Sequence, residues 1–392
     1  MAIGYLVTIA VLAWVVFFAV VAPSPNVRIG RISFWSGLVV NEIPALGALW
    51  LGFSTVVWVI EMESFAWYDA YLLAIAGAVA IGLAYLSWRS IRARGAVAQA
   101  LADGLGVTGQ QAFELARRRG VEGVRTWLFP IWKHRRMVER FQNLSYGDGE
   151  QAHLLDLYRH RDAPEEAPIL VYFHGGGYSS GRKNREARAL FYRLAQNGWV
   201  CVSANYRLRP KAGFREHLSD AKQALAWAHQ YGGDYGGDPQ SIFVAGSSAG
   251  GHLASICALT PNTPQLQPGI EDQDTSVAAA ICFYGYYNYY FDMSPQEELV
   301  SSPLGYPVTD QTPPFFITHG THDSYVRVEA AWELVQHLEQ SPSPVVYAEL
   351  PGAQHAFDIV NSPRYSAVID GVEAFSTAIR SGRTRRSETP RR

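Results

Sequence analysis

The sequence predicts an α/β fold with a mostly parallel sheet, preceded by three transmembrane helices. Uneven charge is the first sign of this division. Of 33 basic and 35 acidic side chains in 392 residues, residues 1–88 hold only six (Arg28, Arg31, Glu42, Glu61, Glu63, Asp69), yet they hold six of the eleven Trp. The second sign is an alternation of short apolar runs with longer helix-like segments from Ala152 onward, as expected for a parallel sheet covered by helices on both faces. The third is the position of the chemically capable residues, which fall just after those apolar runs, where such sheets carry their chemistry.

In the first part, Gly4–Ala22, Ile43–Ile60 and Ala70–Trp88 are free of charge over 18 or 19 residues each. About 20 apolar residues suffice to cross a hydrocarbon core. Trp58, Trp67 and Trp88 at or near the ends of these runs favour spanning helices over buried core helices. The first run is also compatible with a cleaved signal peptide, but Met1–Ile3 lack the usual positive charge and two further spans follow, so a retained helix is expected. Arg28 and Arg31 follow the first span, only acidic residues follow the second, and Arg89, Arg92 and Arg94 follow the third. Basic loops stay on the cytoplasmic side. The expected topology therefore has the N-terminus outside and the C-terminal catalytic domain in the cytoplasm.

Residues 89–142 carry a net charge of +7, with Arg117–Arg119 and the Lys133, Arg135, Arg136 group flanking the aromatic run Trp127–Trp132. Such a basic juxtamembrane linker suits either an anionic leaflet surface or a solvated connector whose aromatics pack on the next domain. Residues 143–379 carry −12, a poor balance for nucleic-acid binding, which needs clustered positive charge. The segment 380–392 is a basic tail of +5 with the composition of a disordered one. Cys201, Cys257 and Cys282 are odd in number, lie in apolar surroundings and lack CxxC spacing, as small core residues in a reducing compartment do.

Within 143–379 the expected strands are Leu154–Tyr158, Ile169–Phe173, Trp199–Ala204, Ser241–Ala245, Ala278–Phe283, Phe315–Thr318 and Val345–Leu350. Helices are expected near Arg185–Asn197, His217–Gln230, Gly250–Leu259, Val326–Gln340 and Ser366–Arg380. The run Ser241–Ala245 leads into Gly246-Ser247-Ser248-Ala249-Gly250, a G-x-S-x-G elbow in strand–turn–helix context, with Ser248 as the exposed nucleophile. Ile169–Phe173 leads into His174-Gly175-Gly176-Gly177, whose bare backbone can approach a substrate oxygen. Gly176 and Gly177 are the expected donors, with Ala249 as a third, while His174 and Gly175 support the loop. A serine needs a base, and the base an orienting acid. His355 and Asp323 follow the last two strands in the chain order serine, acid, histidine.

Rival assignments are weaker. His252 lies one helical turn after Ser248 and is expected to pack against the sheet. The group His319, His322, Asp323, with His355 and Asp358, has a metal-like look but no second tightly spaced ligand cluster, so no metal is expected. Asp220 is a structural partner for Arg207. Residues 283–291 hold seven aromatics in nine positions, suited to core packing or to lining an apolar acyl or alcohol pocket.

HGGGY at 174–178, NYRL at 205–208, GDP at 237–239, GSSAGGHLA at 246–254, HD at 322–323 and QHAF at 354–357 resemble the motifs of α/β-hydrolase esterases similar to hormone-sensitive lipase and arylacetamide deacetylase. The resemblance spans about residues 145–380. It implies the α/β-hydrolase fold and a serine carboxylesterase or lipase with Ser248, Asp323 and His355 as triad, an oxyanion hole from Gly176, Gly177 and Ala249, and no cofactor. Many relatives have Asp where Ser247 and Asn205 stand. The three-span anchor lies outside that pattern and resembles membrane-bound bacterial esterases of actinobacterial type. The expected function is thus a membrane-anchored enzyme acting on a small-molecule or lipid ester through an acyl-enzyme. An amidase or deacetylase with the same triad, or a catalytically silent membrane scaffold, is the alternative. A transporter is disfavoured because the spans contain no internal ionisable residue.

Overall fold

The computed structural model describes residues 2–21, 27–107, 136–290 and 300–382. The basic and aromatic motifs between Arg117 and Arg135, Phe291 of the aromatic run, and the tail from residue 383 lie outside the described residues.

Four helices come first: α1 (Ala2–Val20), α2 (Val27–Glu42), α3 (Pro44–Ile60) and α4 (Trp67–Leu105). By length and composition α1 and α4 are each able to cross a membrane; α2 and α3 reach that only as a pair, and they are bent against each other by 82°. The second expected span thus forms a helix of 17 residues started by Pro44. At such a helix's first turn proline loses no hydrogen bond. Helices α1, α3 and the first half of α4 pack around their own apolar core. Tyr5, early in α1, stacks on Trp58, late in α3, with ring centroids 4.5 Å apart. Val16, late in α1, lies against Gly82, and Gly47, early in α3, lies against Leu83. The three helices therefore run up, down and up.

The remaining elements are β1 (Val138–Ser145), β2 (Leu154–His160), β3 (Ala167–Phe173), α5 (Arg188–Gln196), β4 (Val200–Ala204), α6 (Phe214–Tyr231), β5 (Gly237–Ser247), α7 (Ala249–Leu259), β6 (Ala279–Phe283), β7 (Phe315–Gly320), α8 (Glu329–Leu338), β8 (Val345–Leu350) and α9 (Pro363–Arg380). They build one eight-stranded sheet in the order β1-β2-β4-β3-β5-β6-β7-β8. From β4 to β8 all neighbours are parallel, while β1–β2 and β2–β4 are antiparallel. Every residue of β3, β4 and β6 is buried, as expected of strands covered on both faces. Helices α6, α7 and α8 cover one face; α5, α9 and the second half of α4 cover the other.

Besides α2, which fills the stretch read as a loop after the first span, two elements depart from the sequence reading. Strand β1 begins inside the segment read as linker; its sequence VERFQNLS is charged and only Val138 is buried, because it is an edge strand. Helix α4 does not stop near Trp88 but runs unbroken for 39 residues. Its arginines set the composition of this stretch and hide an apolar stripe, Ala93, Val97, Ala100, Leu101 and Leu105, that enters the core beneath the sheet. Gly104 lies against Val345 and Val346 of β8, and Val97 against Gly371 of α9. Arg94 bonds Asp370 at 3.0 Å, and Arg193 reaches the same carboxylate at 2.6 Å.

A buried polar knot joins the helices to the loops after β7 and β8. Arg89 of α4 donates to the Ala19 carbonyl at 2.6 Å and to Asn41 Oδ1 at 2.7 Å. Asn41 Nδ2 donates to the Gly352 carbonyl at 2.9 Å. Glu42 accepts from Ser362 Oγ at 2.8 Å and pairs with the Arg364 guanidinium. Glu42 and Arg364 are both almost completely buried. Removing one partner of such a pair strands the other charge and typically costs about 3–5 kcal/mol, whereas removing both costs far less. Arg364→Met is therefore expected to lower the thermal unfolding midpoint of the detergent-solubilised protein sharply. Adding Glu42→Gln to it should recover much of the loss.

Candidate active site

The elbow is made by close packing of backbone. Strand β5 ends at Ser247, Ser248 takes φ 55° and ψ −119°, and α7 starts at Ala249. A side chain at Gly246 would sit 2.1 Å from the Gly250 carbonyl oxygen, and one at Gly250 would sit 2.0 Å from that of Phe173. Only glycine fits at both places, which is why the motif has this spacing. A positive φ in a residue with a side chain is costly. Here it is held by the Ser248 N–H, which donates to the Phe283 carbonyl at 2.9 Å, and by the helix that follows.

The loops after β7 and β8 bring the other two sequence-chosen residues to this point. Ser248 Oγ lies 2.9 Å from His355 Nε2, and His355 Nδ1 lies 2.6 Å from Asp323 Oδ2. Asp323 Oδ1 accepts the N–H groups of Tyr325 at 2.9 Å and Val326 at 2.8 Å. Burial by itself would raise the Asp323 carboxyl, but the neighbouring His355 and the hydrogen bonds from His319 and His355 hold it well below the usual carboxylate range. Asp323 is thus an anion at neutral pH, fixed to receive an imidazole N–H.

After β3, the Gly175 N–H donates to Glu186 Oε2 at 2.6 Å. Gly176 turns through φ 121° and Gly177 through φ 58°. Among the described residues the N–H groups of Gly176 and Gly177 meet no acceptor within the protein. His174 is buried, stacks on Tyr206 at 4.5 Å, and has its Nδ1 2.7 Å from the Gly175 carbonyl. It braces the loop and makes no hydrogen bond with Ser248.

The rival residues go elsewhere. His252 is buried with its Nδ1 against the Tyr178 hydroxyl, and burial lowers its pKa to about 4. His319 Nε2 contacts the Val326 carbonyl at 2.9 Å, whereas His322 faces Arg89 at 3.4 Å, so the two diverge. Among the described residues no three His, Cys, Asp or Glu side chains gather as a metal site would require. Asp220 takes a bidentate pair from Arg207, at 2.6 and 3.0 Å. In the aromatic run, Tyr287 and Tyr290 are core, while the Tyr284 ring lies edge-on to His355 at 4.6 Å.

One functional cluster escaped the sequence reading. Directly before Ser248, Ser247 Oγ donates to Asp358 Oδ2 at 2.7 Å and accepts from the Tyr172 hydroxyl at 2.7 Å. Tyr284, on the other side, donates its hydroxyl to Asp358 Oδ1. Ser247 thus draws a carboxyl from the loop after β8. Complete burial, with Glu186 nearby, pushes Asp358 up to about 7. The folded state therefore binds a proton that the unfolded chain, with an ordinary carboxyl near 3.8, has already lost. Stability drawn from this group is full below about pH 4 and declines as pH rises toward 7. Relative to Asp358→Asn, the wild-type unfolding midpoint is accordingly expected to fall as the pH is raised from 4 to 7 and to run parallel above it, as scanning calorimetry would read.

The chain is similar to known carboxylic ester hydrolases. The family model BD-FAE matches residues 155–298. The probable carboxylic ester hydrolase LipM of Mycobacterium tuberculosis is 36% identical, the alignment covering 95% of this chain and 92% of that one. Esterase LipQ of the same organism is also 36% identical, over 75% of this chain and 77% of its own. Among solved structures, a truncated carbohydrate esterase from gut microbiota shares the fold at TM-score 0.56 and 18% identity, covering 62% of this chain and 96% of that one. Thermogutta terrifontis esterase 2 phosphorylated by paraoxon superposes at TM-score 0.50 with 27% identity, over 57% of this chain and 86% of the other. The chain belongs to the carboxylic ester hydrolase family that includes LipM and LipQ, and it is a serine hydrolase acting on carboxylic ester bonds.

Proposed function

We propose that the protein is a membrane-anchored carboxylesterase that works through Ser248, His355 and Asp323. The unbroken chain of hydrogen bonds from Ser248 Oγ through His355 to Asp323 carries this reading. His355 Nε2 takes the proton as Ser248 Oγ bonds to the ester carbonyl carbon. The N–H groups of Gly176, Gly177 and Ala249 receive the charge that develops on the carbonyl oxygen, a contribution typically worth about 100- to 1000-fold per donor. The carbon–oxygen bond to the alcohol breaks, the alcohol leaves with the proton from His355, and an acyl-Ser248 ester remains. Water then attacks that ester with His355 again accepting a proton, the bond from the acyl carbon to Ser248 Oγ breaks, and His355 returns the proton to Oγ as the acid leaves. Each step conserves protons and needs no metal or organic cofactor.

For the anchor, α1, α3 and α4 form the three crossings. An α3 of 17 residues is about 25 Å long, short but sufficient. The large apolar side chains Trp14, Phe17, Trp50, Phe53 and Ile81 that these helices expose support a lipid surround. Arg28, Arg31, Arg89 and Arg92 gather at the end next to the sheet, and Glu61 and Glu63 at the other, which supports a cytoplasmic catalytic domain.

Ser248→Ala should abolish fluorophosphonate labelling and reduce nitrophenyl ester turnover on the order of a million-fold. A wild-type protein that neither labels nor turns over would overturn the proposal. Asp323→Asn should lower turnover by about ten-thousand-fold while leaving the fold intact. Protease added outside intact cells should spare residues 143–379; their digestion would reverse the orientation.

A further inference from the structure

Helix α2 occupies a stretch that the sequence offered only as a short loop. Its inward side carries Gly30, Ser33, Phe34, Gly37, Val40 and Asn41, including two polar side chains that are almost fully buried. Its outward side shows Ile29 at 45%, Ile32 at 45%, Trp35 at 72% and Val39 at 60% exposure. A helix bathed in water places these residues the other way round. The outward face calls for an apolar surround.

Its placement says which surround. The 82° bend at Ile43 sets α2 nearly perpendicular to α3. If α3 crosses the bilayer, α2 lies close to the membrane plane. It lies at the end of the bundle that holds Arg89, whose guanidinium bonds both Ala19 and Asn41. Trp14 of α1 donates to Ser36 of α2 at 2.9 Å, so the exposed face of α2 continues the apolar surface of the bundle. At the same end, Arg92 sits 4.8 Å over the Trp88 ring, a pairing suited to the headgroup level. Arg28 and Arg31 lie on the outward side of α2, where anionic headgroups would meet them.

The inward side of the same helix reaches the triad. Phe34 packs edge-on to Tyr325 at 4.5 Å and lies 6.4 Å from the His355 ring. Tyr325 stacks on His355 at 5.7 Å. Ser324 Oγ donates to the Gly30 carbonyl at 2.9 Å, which ties α2 to the residue next to Asp323. Phe34 also touches Trp35 at 5.1 Å. A continuous run of rings therefore leads from the histidine base to the outward face of α2.

We propose that α2 lies in the interfacial layer of the lipid bilayer and forms one wall of the catalytic mouth, so that the enzyme takes long-chain esters dissolved in the membrane. Ile32, Trp35 and Val39 contact acyl chains, and Phe34 and Tyr325 guide an apolar chain between the lipid and Ser248. A second copy of this chain or a protein partner is the competing occupant of that face. This inference rests on the triad and the anchor proposed above, and its test separates the two.

The three native cysteines are buried, so a single introduced cysteine can be labelled selectively. Full-length Trp35→Cys, carrying an environment-sensitive fluorophore, is reconstituted in vesicles of phosphatidylglycerol and phosphatidylcholine. Trp332→Cys on α8, a position 43% exposed, serves as control. The Trp35 site should be quenched by a doxyl lipid labelled near the headgroup and shielded from iodide, and the Trp332 site the reverse. Iodide quenching at Trp35 without lipid quenching would overturn the proposal, as would quenching that depends only on protein density, which marks a second copy. In a second arm, Ile32→Asp with Trp35→Asp should lower by about tenfold the ratio of hydrolysis of a vesicle-borne nitrophenyl palmitate to that of water-soluble nitrophenyl acetate. An unchanged ratio would overturn the substrate half. Loss of fluorophosphonate labelling in the wild type would instead remove the triad reading, and with it the substrate half, while the quenching arm still decides where α2 lies.

Discussion

Arg89 is the residue on which the union of the two parts depends. A guanidinium enclosed by protein at the end of an apolar bundle is costly unless its donors are met. Here a carbonyl at the end of α1 and the Asn41 amide of α2 both accept from Arg89 Nη2, while Asn41 in turn holds the loop after β8. Glu42 and Arg364 complete the knot one residue further on. Because every member is buried, the knot is stable only when whole, so the bundle and the catalytic loops take up one fixed relation. The same loops carry Asp323 and His355. The helical bundle and the hydrogen-bonded chain Ser248–His355–Asp323 are therefore positioned by one set of hydrogen bonds.

The elbow shows a second constraint, strain held from several sides. Ser248 keeps its positive φ because β5 before it and α7 after it leave no other path between Gly246 and Gly250. Beneath it, Tyr172, Ser247, Tyr284 and Asp358 form a closed set of hydroxyl and carboxyl groups. Tyr284 links that set to the base by lying edge-on to the imidazole. A carboxyl raised by burial is tolerated there because three hydroxyls surround it.

Much of the catalytic unit is legible in the sequence because its signals are local. The strands β3 and β6 and the second half of β5 are apolar runs, since both their faces are covered. The turns around Ser248 and Gly176 show as glycines because backbone approaches backbone there, whereas Gly177 has open space and only a positive φ that favours glycine. Other elements are hidden for physical reasons. Strand β1 is an edge with a solvated face, so its charges mask its alternation. Helix α4 has a basic outer side that dominates composition, while the core sees only its alanines, valines and leucines. Helix α2 is apolar outward and partly polar inward, so neither the pattern of a spanning helix nor that of a water-exposed one detects it.

What the sequence determined by itself is the class of chemistry, ester hydrolysis, and the order of the residues that meet at the site: Ser248 on a glycine elbow, then Asp323, then His355, after a charge-poor and tryptophan-rich start. Those properties live in residue type and short spacing. Only the tertiary structure decided that Asp358 stands beneath Ser247, that α4 serves both bundle and sheet, and that α2 lies beside His355. Each of these joins residues tens to hundreds of positions apart, through hydrogen bonds and packing that exist only once the chain has closed on itself, and no local pattern records them.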